Sequence, residues 1–388
     1  MYTNIGIVSM ARTAVGSFGG SLQGFQAYEL AAAAIREAVA RAGIKAENIS
    51  EVIMGCVGQY GLNLFLGRLA GQSAGLPEGV SGQTVNRMCA SGLQAIITGA
   101  DMIATGHADA VVAGGAESMS NFPYSTQKAR WGGRMGNIEL RDDLLNALIE
   151  PFTGTHIAIT AENVAARYRL TRAELDAFAL ESQERAAKAV AQGKFEDEIF
   201  PIEIKSKQGV TVFDTDEYPR QTSLEKLGKL RPAFKADGVI TAGNASGIND
   251  GAAALVLVNT DSIDQKPIAR FVDYAVTGLD PAYMGMGPAV ATQKLLKQVG
   301  LTTKDVGLYE LNEAFAAQAL ACVRELELDP AIVNVNGSGI SLGHPVGATG
   351  AMISIRLINE MRRRKVRYGI SSLCIGGGQG LSALFEVV

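Results

Sequence analysis

Val85-Asn86-Arg87-Met88-Cys89-Ala90-Ser91-Gly92-Leu93-Gln94-Ala95-Ile96-Ile97 sets a cysteine at the junction of two patterns. Residues 81–86 are polar and read as an irregular approach. Beyond them Leu93, Ile96, Ile97, Ala100 and Ile103 recur at spacings of three and four, which predicts a helix through Ala104 with one apolar face. Cys89 therefore falls at or just before the start of a buried helix. Free N–H groups and the helix dipole favour an anion there, so the expectation is a thiol pKa lowered toward the thiolate. Ala90, Ser91 and Gly92 are small enough for a substrate carbonyl to approach the backbone. The competing reading is a packed, inert thiol, because free cysteines are among the most buried residues.

Outward from this junction, residues 5–10 read as a strand, followed by Arg12-Thr13-Ala14 and a glycine-rich loop through Gly20. Residues 27–42 predict a long alanine-rich helix ended by Gly43, residues 52–55 a second strand and residues 64–74 a helix. Residues 110–114 make a third strand, and Gly114-Gly115-Ala116-Glu117-Ser118 predicts a sharp turn near a site. Strands alternating with helices argue for an α/β sheet covered on both faces. At Met119 the composition shifts. Residues 119–245 carry Pro, Tyr, Trp131, many charges and only short apolar runs, and read as an inserted, mostly surface subdomain. A charged helix over 171–192 lies within it, with Thr171 as N-cap and Glu174 completing a capping box. Strand-like residues 253–259 return to the first core.

The second half repeats the plan of the first. A strand at 268–276 is followed by a Gly/Pro/Met loop at 284–288, a helix at 289–299 and a strand at 307–311. At a similar distance beyond the second strand of each half stands a reactive loop-to-helix junction, Cys89 in one and His344 in the other. Each half closes with a strand feeding glycines, 111–115 and 370–378, and residues 383–388 are again strand-like. This repetition predicts that the two junctions face each other. The expected division is 1–118 plus 247–267 as one core half, 119–246 as the insert and 268–388 as the other half.

With 388 residues, 47% hydrophobic and 19% charged, and with 45 glycines, the chain has the make-up of an α/β enzyme with many tight turns. A net charge of −4 offers no electrostatic case for nucleic acid or an anionic membrane surface. No apolar run approaches the roughly 18 residues of a membrane span. The N-terminus runs straight into a strand, so neither a signal nor a transit peptide is expected, and no peroxisomal tripeptide ends the chain. Cys56, Cys89, Cys322 and Cys374 lie far apart without metal-ligand spacing. The expectation is reduced thiols, no metal and a cytoplasmic location.

Three further motifs carry chemistry. Asn312-Glu313-Ala314-Phe315-Ala316 directly follows a strand, where α/β proteins place ligands, although Asn312 could equally cap a helix. Gly343-His344-Pro345-Val346-Gly347-Ala348-Thr349-Gly350 holds a histidine among glycines ahead of a buried helix, which makes His344 a better base candidate than His107 on a surface turn. Cys374-Ile375-Gly376-Gly377-Gly378-Gln379-Gly380 exposes backbone N–H groups as an oxyanion hole requires. Its rival is a phosphate loop, but no Lys-Ser/Thr follows and the dinucleotide spacing is wrong.

Together these blocks resemble the thiolase family, in the family's order and over essentially the whole chain; Ala161-Glu162-Asn163-Val164-Ala165 and Thr241-Ala242-Gly243-Asn244-Ala245-Ser246-Gly247 match further family blocks. The resemblance implies two duplicated βαβαβ core halves in a five-layer α-β-α-β-α arrangement with an inserted loop domain, assembled as a homotetramer. It implies acyl transfer between coenzyme A thioesters with no permanently bound cofactor. His344 would take the proton of Cys89, and the thiolate would attack an acyl thioester. Cys374 would act as acid/base for the Claisen step, or on incoming CoA in thiolysis. Asn312 would hold a water that stabilises one oxyanion with His344, and the N–H groups of Cys89 and Gly376 would stabilise the other. Carried-over CoA contacts are Leu148, His156, Arg220, Phe234 and Ser246, with Ile157, Met284 and Phe315 completing the substrate pocket.

Departures from the family pattern bear on acyl range. Ala90 follows the nucleophile where glycine is frequent, and Ile157-Ala158 follows His156 where acetoacetyl-specific members have Met-Gly. Leu64-Phe65-Leu66-Gly67-Arg68 and the Asn336-Gly337-Ser338-Gly339-Ile340-Ser341-Leu342 approach to His344 look like broad-range β-ketothiolases. Two alternatives stand beside this reading. A decarboxylating ketoacyl synthase would want a second histidine where this chain has Cys374, and a non-catalytic acyl-CoA-binding relative would lack one of the catalytic positions.

Overall fold

The computed structural model describes residues 2–207 and 209–387. β1 (Ile5–Arg12) is buried along its whole length, as a strand with helices on both faces must be. α1 (Ala27–Ala42) turns its alanines, Leu30 and Ile35 inward, and Gly43 stops it at φ 67°, the left-handed conformation that a helix end asks of glycine. There follow β2 (Glu51–Gly55), α2 (Leu66–Ser73), β3 (Ser81–Val85), α3 (Ser91–Ala104) and β4 (Ala110–Ser118). The middle of the chain supplies α4 (Ala158–Arg167) and α5 (Arg172–Ala191). β5 (Asn249–Asn259), β6 (Ala269–Gly278), α6 (Gly287–Val299), β7 (Leu308–Leu311), α7 (Ala316–Glu325), α8 (Thr349–Arg364), β8 (Tyr368–Ile375) and β9 (Gln379–Glu386) complete it.

The strands pair in the order β7-β8-β9-β6-β1-β5-β4-β2-β3, with the short strand Gly16–Ser17 against the start of β5. From β1 outward the pairings run antiparallel, antiparallel, parallel (β1–β5–β4–β2), and from β6 outward they do the same (β6–β9–β8–β7). The duplication read from the sequence thus reappears as one pairing pattern used twice. The two sets join through β1 and β6, where Gly6 meets Arg270 and Ile7 meets Ala269.

Local expectations needed three corrections. Residues 81–85, read as irregular, form edge strand β3, paired in parallel with β2; its side chains are exposed or half-buried, so no apolar pattern marked it. Residues 114–118 do not turn but extend β4 to Ser118. The glycines there serve close approach instead, since a Cβ on Gly114 would collide with the Ala253 carbonyl and one on Gly115 with the Gly347 carbonyl. Asn312 does not cap α7, whose N-cap is Phe315. The middle segment is mostly surface, as read, but part of it is core: Ala161, Val164, Leu175 and Ala179 share a core with Met284, Ala317 and Ala321. Some of its charges are internally matched, as with Arg172 and Asp176 at 2.7 Å. The predicted capping box of Thr171 and Glu174 is present. Residues 64–74 divide into a 3-10 turn (Gly61–Phe65) and α2, and residues 284–288 straddle a 3-10 turn (Pro281–Met286) and the start of α6. Of the strand-like stretch 383–388, β9 takes residues through Glu386, and Val388 lies outside the described residues. Among the described residues no helix is long and apolar enough to cross a membrane.

The decisive packing is between α3 and α8, the helices that begin after Cys89 and His344. A Cβ on Gly350 would collide with the Leu93 amide nitrogen, and one on Gly92 would lie 2.9 Å from the Ala351 nitrogen. The two helices touch backbone to backbone at their first turns, and every α8 residue from Thr349 to Met361 is buried. Replacing a mid-helix glycine by alanine ordinarily gains up to about 1 kcal/mol in helix propensity. Overpacking here should cost about 1–3 kcal/mol and reverse that sign. Gly350→Ala is therefore expected to lower the thermal midpoint in calorimetry; a rise would show that the helices can part without cost.

Candidate functional site

A cavity of about 950 Å³ opens where α3 and α8 begin. Cys89 is presented to it by a tight turn. Met88 takes φ 46°, unusual for a residue with a Cβ, and two side chains hold it there. The Met88 N–H donates to Asn86 Oδ1 at 2.9 Å, while Ser91 Oγ accepts from the Arg87 N–H at 2.9 Å and donates to the Met88 carbonyl at 2.6 Å. α3 starts two residues later, at Ser91.

The Cys89 thiol is pushed up to about 11 by removal from water, against the lowering influence of the N–H groups of Gly376 and of Cys89 itself. This corrects the expectation of a lowered pKa. Desolvation of an anion in a cavity outweighs two backbone donors, and Cys89 stands short of the helix whose dipole was to help it.

His344 is buried, and its N–H donates to Asn249 Oδ1 at 2.9 Å. Its ring Nδ1 lies 2.7 Å from Thr349 Oγ1, and that hydroxyl donates its own proton to the Pro345 carbonyl at 2.8 Å. Thr349 can therefore only accept from the ring, which puts the proton on Nδ1 and leaves Nε2 bare. Burial drives the imidazole down to about 4, so it is neutral at ordinary pH, with Nε2 unprotonated. Asn312 reaches the same nitrogen, Nδ2 to Nε2 at 3.3 Å, from the end of β7. Its Oδ1 is buried and has no partner among the described residues.

Cys374 and Gly376 come from the β8–β9 hairpin. Gly377 and Gly378 turn it at φ 84° and 77°, conformations that exclude most other residues. The Gly377 N–H is taken by Glu150 Oε2 at 3.0 Å, whereas the Gly376 N–H faces the Cys89 sulfur. Burial also raises the Cys374 thiol well above its ordinary value, with Cys89 the next contributor. Both thiols rest neutral.

The remaining sequence-read positions line the same cavity. The His156 ring stacks on Phe234 with centroids 4.5 Å apart, and its Nδ1 accepts from the Ala158 N–H at 3.1 Å. Leu148 and Ile157 lie beside it, joined by the Ile157 N–H to the Leu148 carbonyl at 2.9 Å. Exposed Arg220 lies over the Tyr218 ring, 4.9 Å from its centroid. Ser246, Met284 and Phe315 complete the lining, and Asn312 acts behind His344 without lining it. Glu313 parts from Asn312. It is buried and accepts from Ser182 Oγ at 2.6 Å and Asn334 Nδ2 at 2.9 Å, so it braces the loop. His107 is exposed.

Sequence reasoning missed Val57, Tyr60, Met119, Ile248 and Val346, which also line the cavity. A signal existed for Val57, which follows strand β2 at its C-terminal end, where α/β proteins bind ligands. The others are ordinary apolar residues on loops.

Residues 5–261 match the family description "Thiolase, N-terminal domain" and residues 265–387 match "Thiolase, C-terminal domain". The chain belongs to the thiolase family. As a thiolase-family member it is an acyltransferase. It is 47% identical over 392 residues to the beta-ketothiolase BktB of Cupriavidus necator, covering 100% of both chains. It is also 47% identical to an acetyl-CoA acetyltransferase of Escherichia coli, covering 99% of each. Among solved structures, the Bacillus anthracis acetyl-CoA acetyltransferase matches with TM-score 0.97 at 45% identity over 99% of both chains. Human mitochondrial 3-ketoacyl-CoA thiolase in complex with CoA matches with TM-score 0.96 at 41% identity, over 99% of this chain and 98% of that one.

A thiol raised to about 11 makes a checkable statement. In the substrate-free protein, alkylation of Cys89 by iodoacetamide should be slow at neutral pH and climb about tenfold per pH unit through the alkaline range. A plateau reached at neutral pH would mean a resting thiolate.

Proposed function

We propose that this thiolase catalyses reversible Claisen condensation of an acyl-CoA with acetyl-CoA, and the reverse thiolysis of 3-ketoacyl-CoA, through an acyl-cysteine on Cys89. The observation that carries this is the convergence on one cavity of two neutral thiols, a neutral imidazole with a bare Nε2, and the backbone donors of Cys89 and Gly376.

Each group suits one part of the chemistry. His344 Nε2 accepts the Cys89 proton as the sulfur attacks the thioester carbonyl, so the unfavourable buried thiolate forms only as the new bond consumes it. The N–H groups of Cys89 and Gly376 donate to the oxygen that becomes negative there. CoA leaves with the proton of Cys374, which becomes a thiolate, while His344 keeps the proton it took from Cys89. The Cys374 thiolate then removes a proton from the methyl carbon of acetyl-CoA, and the enolate oxygen is stabilised from the side of protonated His344 and Asn312. The enolate attacks the acyl carbon, the bond to Cys89 breaks, and the released sulfur takes its proton back from His344. In thiolysis Cys374 deprotonates incoming CoA instead.

The CoA moiety is read against Leu148, His156, Phe234 and Ser246, with Arg220 directed to its phosphates; support comes from their position around one cavity and from the CoA complex of the human relative. The division into halves at 1–118 plus 247–267 and 268–388, with 119–246 inserted, is supported by the two family descriptions meeting between residues 261 and 265. A homotetrameric assembly would cover the exposed Trp131 and Met135 of the insert. A cytoplasmic location accords with the four free cysteines.

Cys89→Ala should abolish acylation by acetyl-CoA in intact-protein mass spectrometry, whereas Cys374→Ala should still acylate and fail to condense. An acyl adduct surviving on Cys89→Ala would overturn the assignment.

Ile157 bears on acyl range. Its Cβ branch makes it stiff, and it reaches less far than the methionine found there in acetoacetyl-specific members. One methylene is worth only about 1–3 kcal/mol of discrimination, so a broadened range is expected and not a switch. Five- and six-carbon 3-ketoacyl-CoAs should be cleaved with kcat/KM comparable to acetoacetyl-CoA, and Ile157→Met should narrow the range. A steep fall beyond four carbons in the wild type would reduce the activity to that of an acetyl-CoA acetyltransferase.

A further inference from the structure

Glu117, the next-to-last residue of β4, is completely buried beside the site, and the acyl-transfer steps do not use it. Its Oε2 accepts from the Val57 N–H and the Gly347 N–H, each at 2.9 Å, and its Oε1 accepts from the Gly58 N–H at 2.9 Å. Cys56 Sγ stands 3.5 Å from Oε1. Both oxygens are therefore committed as acceptors to backbone donors. A neutral isostere must turn a donor toward one of those N–H groups, so only the anion satisfies the set.

The donors come from two separate parts of the chain. Val57 and Gly58 follow β2, while Gly347 belongs to the loop that joins His344 to α8. Gly347 is packed without clearance: a Cβ on it would lie 2.5 Å from Glu117 Oε2 and 2.9 Å from the Cys56 Cα. Its carbonyl in turn lies against Gly115 and against Gly92 in the first turn of α3. The side chains of Val57, itself a donor, and of Val346, the neighbour of Gly347, pack with Met119 and Cys89 in one small apolar cluster.

We propose that Glu117 is a positioning residue that fixes His344 relative to Cys89, its anionic carboxylate clipping residues 57–58 to Gly347. This rests on the reading of Cys89 and His344 as nucleophile and base.

Holding the anion there works against burial, which lifts the carboxyl to about 7 in spite of its donors. The sign follows. A raised folded pKa means that the stability contributed by Glu117 is fully present below its unfolded value of about 4.5 and is lost as pH rises through about 7. Positioning runs the other way, since the clip is complete only in the charged form. Stability and positioning thus move oppositely across this window, which a residue serving the fold alone would not do. The titratable groups around Glu117 are Cys56 and Tyr60 on the loop after β2, Cys89 before α3, Asp250 on the paired strand β5 and His344 across the junction. Cys56, Tyr60 and Cys89 are raised, Asp250 is raised and accepts from Ser120, and His344 is lowered to about 4.

The test compares wild type with Glu117→Gln in thiolysis of acetoacetyl-CoA between pH 6 and 8.5. Wild-type kcat is expected to rise through an ionisation near 7, and Glu117→Gln to lose that ionisation. Its kcat should be about 10- to 100-fold lower at the alkaline end, the cost of a slightly misplaced base, with the KM for CoA within about twofold. A variant with wild-type kcat and pH profile overturns the proposal. A second readout needs neither the variant nor catalysis: amide exchange at Val57, Gly58 and Gly347 in the wild-type protein, corrected for intrinsic rates, should report one shared opening, with protection of the three amides within about threefold although they lie in separate parts of the chain. Protection of Gly347 that differs about tenfold or more from that of Val57 and Gly58 overturns the proposal even if Glu117→Gln does not fold.

Discussion

The rest of the structure depends on the backbone contact between α3 and α8. Gly92 and Gly350 let the first turns of these helices meet without side chains between them. Each helix follows a loop that carries one reactive residue, so bringing the helix starts together also brings Cys89 and His344 to one cavity. The duplicated pairing pattern of the sheet sets this up by presenting the same loop-to-helix junction from both sides. The β8–β9 hairpin adds Cys374 and Gly376, and β7 adds Asn312 at its end.

Burial governs the chemistry of that cavity. Cys374 and the imidazole are buried and Cys89 is half-buried in the cavity wall, and desolvation leaves all three neutral at rest. Such a site avoids the cost of a standing thiolate–imidazolium pair and spends its donors on charge that develops during reaction. The side chains that fix these groups are uncharged: Thr349 sets the tautomer of His344, and Asn86 and Ser91 hold the turn before Cys89. Two buried carboxylates stand beside them: Glu117, which accepts from the Val57, Gly58 and Gly347 N–H groups, and Glu150, which accepts from the Gly377 N–H.

The middle of the chain plays two parts. α4 and α5 belong to the core they share with α7, while the segment around Leu148 to His156 and the return past Arg220 and Phe234 wall the cavity. The sequence showed this region's charge and its capping box. It hid the packing, because a charge matched by a neighbour looks in sequence like a charge facing water.

Much was legible in one dimension. Helix α1 with its glycine stop, the Thr171 capping box, the buried face of α3, and Cys89, His344 and Cys374 among small residues are local patterns, and local patterns survive in sequence. The polar edge strand β3 was not legible, since an exposed strand has no apolar periodicity to read. Tertiary structure alone decided three further matters. The pKa of Cys89 rose because desolvation depends on everything packed around a sulfur and not on its place before a helix. Asn312 and Glu313, adjacent in sequence, went to opposite duties, because neighbours at a strand's end point to different sides. The glycines of β4 looked like a turn, and only the approach of Gly347 from the other half of the chain explains why no side chain can stand at Gly115.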